Sequence, residues 1–253
     1  MSQDVFRPCA LIPVYDHGNT VGAVAAGLRA EGLPVFLVDD GSDAETRAQL
    51  AEISGRMKDC TILRIPVNRG KGAAVSLGIL HAAAAGFTHA FQVDADGQHN
   101  LADVPLFLRE AREHPEALVC GAAVFDASIP PARRIGRRIT VFWVAAETLS
   151  RDIPEAMCGF RMYPLASACR LLSRVHMSRR MAFDIEILVR LHWRGVPMRF
   201  LPTQVVYPIG GVSHFRMVRD NLAITLVHTR LFVGMLVRLP FLLARRARLT
   251  AAV

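Results

Sequence analysis

The chain has 253 residues, a net charge of +8 and a hydrophobic fraction of 52 %, with a mean hydropathy of +0.28. That is long enough to bury a large core and more apolar than is usual for a freely soluble protein, so an anionic membrane surface fits the basic charge better than nucleic acid does. The five cysteines are odd in number, scattered and without a CxxC pair, which argues against a disulfide framework or a zinc site and for a reducing compartment. The start, MSQDVFRPCA, lacks a basic n-region followed by an apolar run, so no signal peptide is expected.

In chain order, buried strands are predicted at Ala10–Tyr15, Val35–Asp40, Thr61–Ile65, His89–Asp94 and Leu118–Gly121. Helices are predicted between them, at Thr20–Ala30, Ala44–Met57, Ala73–Ala85 and Leu101–Glu113. This alternation predicts an α/β fold with a mostly parallel, doubly wound sheet. Beyond Gly121 come a basic loop opening at Pro130 and an apolar helix through Trp143. A short strand at Cys158–Tyr163 and a helix at Met181–Arg194 follow, then two short strands separated by Leu201-Pro202.

Polar clusters follow three strand ends: Tyr15-Asp16-His17, Asp39-Asp40-Gly41-Ser42 and Asp94-Ala95-Asp96. Ligands of open α/β sheets bind at the carboxyl ends of strands, so one shared site is the economical reading. Two carboxylates one residue apart call for a counter-charge, and a hard divalent cation is the natural one. A solvated turn with a helix cap behind it is the bland alternative. Asn68-Arg69-Gly70-Lys71-Gly72 precedes a helix, where amides and Lys71 could face phosphate. Lys71 is one of two lysines in an Arg-rich chain.

The motifs IPVYDHG, VDDGSD, NRGKGAA, DADGQH, CGFRMY and FDIEILVRLHWRG, in this order, resemble a family 2 glycosyltransferase of GT-A (Rossmann-like) fold. The likeness is strongest to dolichyl- and polyprenyl-phosphate sugar transferases. It covers roughly residues 8 to 207. DADG after an apolar strand also resembles haloacid-dehalogenase phosphatases, but those carry it near the N-terminus and follow it with Thr or Val, where Gln98 stands here.

The resemblance implies an inverting transfer from a UDP- or GDP-sugar, with Mg²⁺ or Mn²⁺ held by Asp94, Asp96 and Gln98. It implies donor contacts from Pro13, Tyr15, Asp16, Asp39, Asp40 and Lys71. Asp16-His17 stands where Asn-Glu is common in the family, so the ribose contacts depart from the pattern. Asp184 aligns with the base of hydroxyl-acceptor members, and Glu186 with a more widely shared acidic position. Only one of the two is expected to enter the site, because helical residues two apart face different ways. The Arg-x-x-Gly-Glu-Ser-Lys stretch of polyprenyl-phosphate transferases is replaced by Pro208-Ile209-Gly210-Gly211-Val212-Ser213-His214. Acceptor or phosphate contacts are therefore expected from His214, Arg216, Arg133 or Arg134, and a hydroxyl acceptor is favoured over polyprenyl phosphate.

From Arg216 to Val253 there are seven Arg against one Asp, leaving a charge of +2 for the first 215 residues. Asn221–Ala244 is apolar but interrupted by His228, Arg230, Arg238 and Pro240, with no 18-residue uncharged run. The expectation is a catalytic domain over 1–215 and a basic, amphipathic helical segment over 216–253 lying in the plane of an anionic membrane. A helix packed on the domain or on a second copy of the chain is the alternative. The partners expected are thus a nucleotide sugar, a lipid or apolar acceptor and the inner face of the cytoplasmic membrane, with no nucleic acid. A catalytically silent nucleotide-sugar-binding scaffold is the rival from another class.

Overall fold

The structure, a computed structural model, describes residues 6–125, 131–205 and 217–251. Its first half is a regular βα alternation: β1 (Pro8–Val14), α1 (Gly18–Ala30), β2 (Val35–Asp40), α2 (Ala44–Arg56), β3 (Cys60–Ile65), α3 (Lys71–Ala84) and β4 (His89–Gln92). A 3-10 turn at Leu101–Asp103 leads into α4 (Val104–Glu113), then β5 (Leu118–Phe125) and α5 (Pro131–Thr148). The chain continues through β6 (Arg161–Pro164), α6 (Leu165–Leu172), α7 (Phe183–Trp193), β7 (Met198–Val205) and α8 (Met217–Ala251).

The seven strands form one sheet in the order β3-β2-β1-β4-β6-β5-β7. β6 alone runs antiparallel to its neighbours, β4 and β5. Alternation along each strand divides the core in two. On β1, Cys9 and Leu11 join one cluster with Ala74, Ile79, Leu165 and Leu188. Ala10, Ile12 and Val14 join the other with Val24, Leu28 and Phe107. The helices therefore cover both faces. Local capping agrees: Asp43 accepts the Thr46 amide at 2.8 Å at the start of α2, and Asn100 accepts that of Ala102 at 3.2 Å.

Two elements differ from the sequence expectation. β7 is one strand running through Leu201-Pro202, not two. It is the sheet edge, paired with β5 along its length and bridged at Val205 to His99, and an edge position tolerates proline because a ladder partner is not needed on its outer side. α6 was not foreseen; it is an eight-residue helix directly after β6.

α8 also differs. It is one helix of 35 residues that continues through Pro240. Over 218–247 it is long and apolar enough, by length and composition, to cross a membrane: an 18-residue window within it has a mean hydropathy of 1.6, and 22 % of that window is buried. Charges that interrupt the run in the sequence are absorbed by the domain. Arg230 Nη2 lies 2.7 Å from Glu186 Oε2, and His228 Nδ1 lies 2.7 Å from Glu147 Oε1. Arg238 stacks over Trp193 at 4.8 Å, and Arg245 and Arg246 donate to the carbonyls of His192 and Leu149 near the ends of α7 and α5. Val227, Leu231, Met235 and Leu242 are buried, while Val218, Leu222, Leu226, Val233, Val237 and Phe241 are exposed. The helix thus packs on the domain and keeps a separate apolar outer face.

His89 is buried under Phe6, its Nε2 2.9 Å from the Pro115 carbonyl. Burial lowers its pKa, with the Pro115 bond opposing in part. The unfolded chain therefore takes up a proton near pH ~6.5, before the folded chain does, so this contribution is complete above that value and is lost as pH falls below it. Denaturant unfolding from pH 7.5 down to 5 is expected to show stability falling, with a shallower fall in His89→Gln; an identical slope would contradict the assignment.

Candidate active site

β1 to β4 run parallel, so their carboxyl ends share one edge of the sheet. The segments leaving that edge line a cavity of about 360 Å³: Pro13, Tyr15 and His17 after β1, Asp40 at the end of β2, Asn68, Gly70 and Lys71 after β3, and Asp94, Ala95 and Asp96 after β4. Arg180 and Met181 from the loop before α7, and Arg219 and Asp220 from the first turn of α8, complete the wall.

At its floor Lys71 Nζ lies 2.8 Å from Asp94 Oδ1, 2.9 Å from Asp94 Oδ2 and 2.8 Å from Asp184 Oδ2. Burial works against the ammonium, yet Asp184 and Asp94 raise its pKa above the ordinary lysine value. Burial likewise opposes the Asp94 carboxylate, and Lys71 and His99 overcome it, holding the group well below the usual range. Asp96 is raised, by burial first and by the Asp94 charge second. Asp94 Oδ1 has no well-formed hydrogen bond despite the nearby ammonium, and Asp184 Oδ1 has none either. Two carboxylates one residue apart at a strand end, both bordering the cavity, form a hard-oxygen donor set that fits Mg²⁺ or Mn²⁺.

Close backbone contacts fix this floor. A Cβ on Gly159 would sit 2.2 Å from Asp94 Oδ2, so only glycine leaves room for the carboxylate. Gly70 adopts φ +102°, and a Cβ there would sit 2.6 Å from the Arg179 carbonyl. Asp40 accepts the amides of Arg69 and Gly70 at 2.8 and 2.6 Å and so shapes the Asn68–Lys71 loop. Its pKa is raised mainly by burial, with those two bonds offsetting part.

Several expected site residues sit elsewhere. Asp39 is fully buried, accepting the Ser42 amide on Oδ1 and Arg64 Nε on Oδ2. Asp16, at φ +52°, accepts the Asp43 amide and holds the turn rather than lining the cavity. Gln98 donates its backbone amide to Asp96, and its side chain is not among those lining the cavity.

Glu186 is neither in the cavity nor a surface charge. Fully buried, it accepts the Ser178 amide at 2.8 Å and lies 2.7 Å from both Arg190 and Arg230. The catalytic expectation for it is corrected: the carboxylate ties α7, the 178 loop and α8 together. Arg134 is exposed on α5 and lines a different groove, with Arg138 and Phe142. The Arg133 side chain, His214 and Arg216 lie outside the described residues.

Residues missed from the sequence complete the site. Arg161 is 1 % exposed and donates to the carbonyls of Cys158, Asp184 and Ala156, clamping the Gly159 loop to the start of α7. His99 stacks on Phe160 at 5.0 Å, with Nε2 4.0 Å from Asp94 Oδ2. Arg180 and Arg219 carried no motif signal; only tertiary structure brings them to the wall.

A mostly parallel sheet covered by helices on both faces, with its cavity at the strand ends, has the GT-A architecture. The family model for glycosyl transferase family 2 matches residues 9–173, and the chain belongs to that family. It is 28 % identical over 174 residues to a dolichyl-phosphate beta-glucosyltransferase of Dictyostelium discoideum, covering 65 % of this chain and 52 % of that protein. It is 24 % identical over 216 residues to the glycosyltransferase AglJ of Haloferax volcanii, covering 84 % and 68 %. The chain spans about half the length of the dolichyl-phosphate relatives it matches. Among solved structures, glucosyl-3-phosphoglycerate synthase of Mycobacterium tuberculosis, in complex with Mn²⁺ and UDP-glucose, superposes with a TM-score of 0.65 at 13 % identity, covering 92 % of this chain and 79 % of that one.

Removing the ammonium should expose the carboxylate cluster. Lys71→Ala leaves Asp94 and Asp184 without their shared counter-ion, which costs about 3 kcal/mol or more for a buried pair. Mn²⁺ should recover part of that loss, raising the melting temperature of the variant more than that of the wild type. A variant that Mn²⁺ does not stabilise would contradict a cation site at these carboxylates.

Proposed function

We propose that the chain transfers a sugar, with inversion, from a UDP- or GDP-sugar to a lipid-linked acceptor at the cytoplasmic face of a membrane. The observation that carries this reading is the cavity at the strand ends, walled by Asp40, Lys71, Asp94 and Asp96, in a family 2 chain. Mg²⁺ or Mn²⁺ held by Asp94 and Asp96 would neutralise charge on the departing nucleoside diphosphate. Pro13, Tyr15 and His17 offer a surface for the nucleoside, and the Asn68–Lys71 loop borders the diphosphate. In the transfer, an acceptor oxygen bonds to the anomeric carbon as its bond to the diphosphate breaks, and the nucleoside diphosphate leaves with the electron pair.

The state of Asp184 bears on the acceptor. An alcohol must lose a proton as it attacks, which calls for a free base; an acceptor phosphate is already an anionic nucleophile. Asp184 is 5 % exposed and its Oδ2 is already engaged by the Lys71 ammonium at 2.8 Å, so it does not stand free to take a proton. This favours a phosphate acceptor, consistent with the dolichyl-phosphate relatives. A hydroxyl acceptor is the second reading, favoured by the unbonded Asp184 Oδ1. Incubation with labelled UDP- and GDP-sugars, Mn²⁺ and either polyprenyl phosphate or a lipid alcohol separates the two, because a glycosyl phosphate is cleaved by mild acid and an ether-type glycoside is not. An acid-labile glycolipid is expected from wild type and a loss of at least 100-fold in Asp94→Ala; an acid-stable product would transfer the assignment to the alcohol, and donor binding without turnover would support the scaffold reading.

Membrane attachment is assigned to the outer face of α8. Exposed Leu222, Leu226 and Phe241 would enter the membrane interface. The five free cysteines among the described residues fit a reducing, cytoplasmic setting. Changing Leu222, Leu226 and Phe241 together to Ser leaves the packed side untouched. Co-sedimentation with vesicles of mixed neutral and anionic lipid is expected to fall at least tenfold; unchanged binding would exclude this face as the anchor.

A further inference from the structure

Three cations stand on the cavity wall. Lys71 is held by Asp94 and Asp184. Arg180 donates Nη1 to Asn68 Oδ1 at 3.2 Å and braces the Gly70 turn. Arg219 is different: it is exposed and makes no hydrogen bond or ion pair among the described residues. It also lies in the first turn of α8, where the positive end of the helix dipole disfavours a cation. Its neighbour Asp220 suits that position; Arg219 does not. An arginine kept at a helix start at a cost in stability, on the wall of an anion-binding cavity, has a use other than holding the helix.

We propose that Arg219 is a specificity-determining residue of the transfer reaction, its guanidinium binding a phosphate group of a substrate at the α8 side of the cavity. The inference rests on the glycosyltransferase reading above. The guanidinium is planar and always charged, and it binds two phosphate oxygens at once. Either of two sources supplies that phosphate: the donor diphosphate or the phosphate of the lipid acceptor. In both cases α8 is part of the reaction cavity, and its docking through Arg230–Glu186 and His228–Glu147 sets where Arg219 stands.

Arg219→Gln and Arg219→Lys in the full chain test the assignment, with Arg174→Gln, an exposed arginine outside the cavity, as control. Binding of UDP- and GDP-sugars with Mn²⁺ is measured by calorimetry, and KM and kcat for polyprenyl phosphate by transfer in vesicles. Arg219→Gln is expected to raise either the donor Kd or the acceptor KM at least tenfold, with kcat changing less. Arg219→Lys should recover part of the loss. Melting temperature should be unchanged or slightly higher in the Gln variant, because a misplaced cation has gone. The constant that moves identifies the phosphate. Both constants within twofold of wild type overturn the proposal, as does a lowered melting temperature with kcat alone reduced. Wild type that neither binds nor turns over nucleotide sugars overturns the glycosyltransferase reading itself, and this assignment with it.

Discussion

The site depends on one ammonium placed between two carboxylates. Lys71 opens α3, Asp94 follows β4 and Asp184 lies in the first turn of α7, so a single charge joins three elements far apart in the chain. Burial works against the charges of Lys71 and Asp94, and each offsets that penalty for the other. Together they are compensated, and the geometry around them permits little else. Only a glycine at 159 leaves room for the Asp94 carboxylate, and Arg161 holds the Asp184 carbonyl at 2.7 Å. The strand-end half and the α7 half of the site are thus one electrostatic unit.

The same economy governs α8. A helix apolar on nearly all sides would be expected either in a core or in a membrane. Here the inner side is a core surface, and its polar residues end on buried partners: Arg230 on Glu186, and His228 on Glu147. Breaking such a pair leaves an uncompensated buried charge, so the helix is held by more than hydrophobic contact. The expectation of a catalytic domain ending near residue 215 describes where the family motifs stop. The cavity wall continues to Asp220.

The mostly parallel, doubly wound sheet and much of the cavity were legible because strands and helices print periodicities and motifs mark strand ends; the strand order was not. Pro13, Tyr15, Asp40, Lys71, Asp94 and Asp96 all reach the cavity. What a motif does not encode is which of two adjacent side chains faces the site, since neighbours on a strand point oppositely. Asp39 and Asp40 are adjacent, and both were expected at the donor; the structure puts Asp40 on the cavity and turns Asp39 toward Arg64 and Ser42. Glu186 was misread for a related reason, its partners Ser178 and Arg230 being set by tertiary packing. Arg161 stood inside a quoted motif, yet nothing in the sequence marks it as 1 % exposed.

The placement of α8 gives the proposed reaction a geometric logic. A lipid acceptor has an apolar tail that belongs in the bilayer and a polar head that must reach the sugar. Val218 and Leu222 are exposed on either side of Arg219 in sequence, within one turn of the helix. Apolar contact and cavity wall therefore meet at the same turn. A tail lying along the outer face of α8 would bring its head group to the cavity without crossing the body of the domain. A helix anchored only at its far end, around Arg245 and Arg246, would leave that head group roughly 40 Å away along the axis at 1.5 Å per residue. The start of α8, more than its basic end, is where membrane attachment and sugar transfer can act on the same molecule.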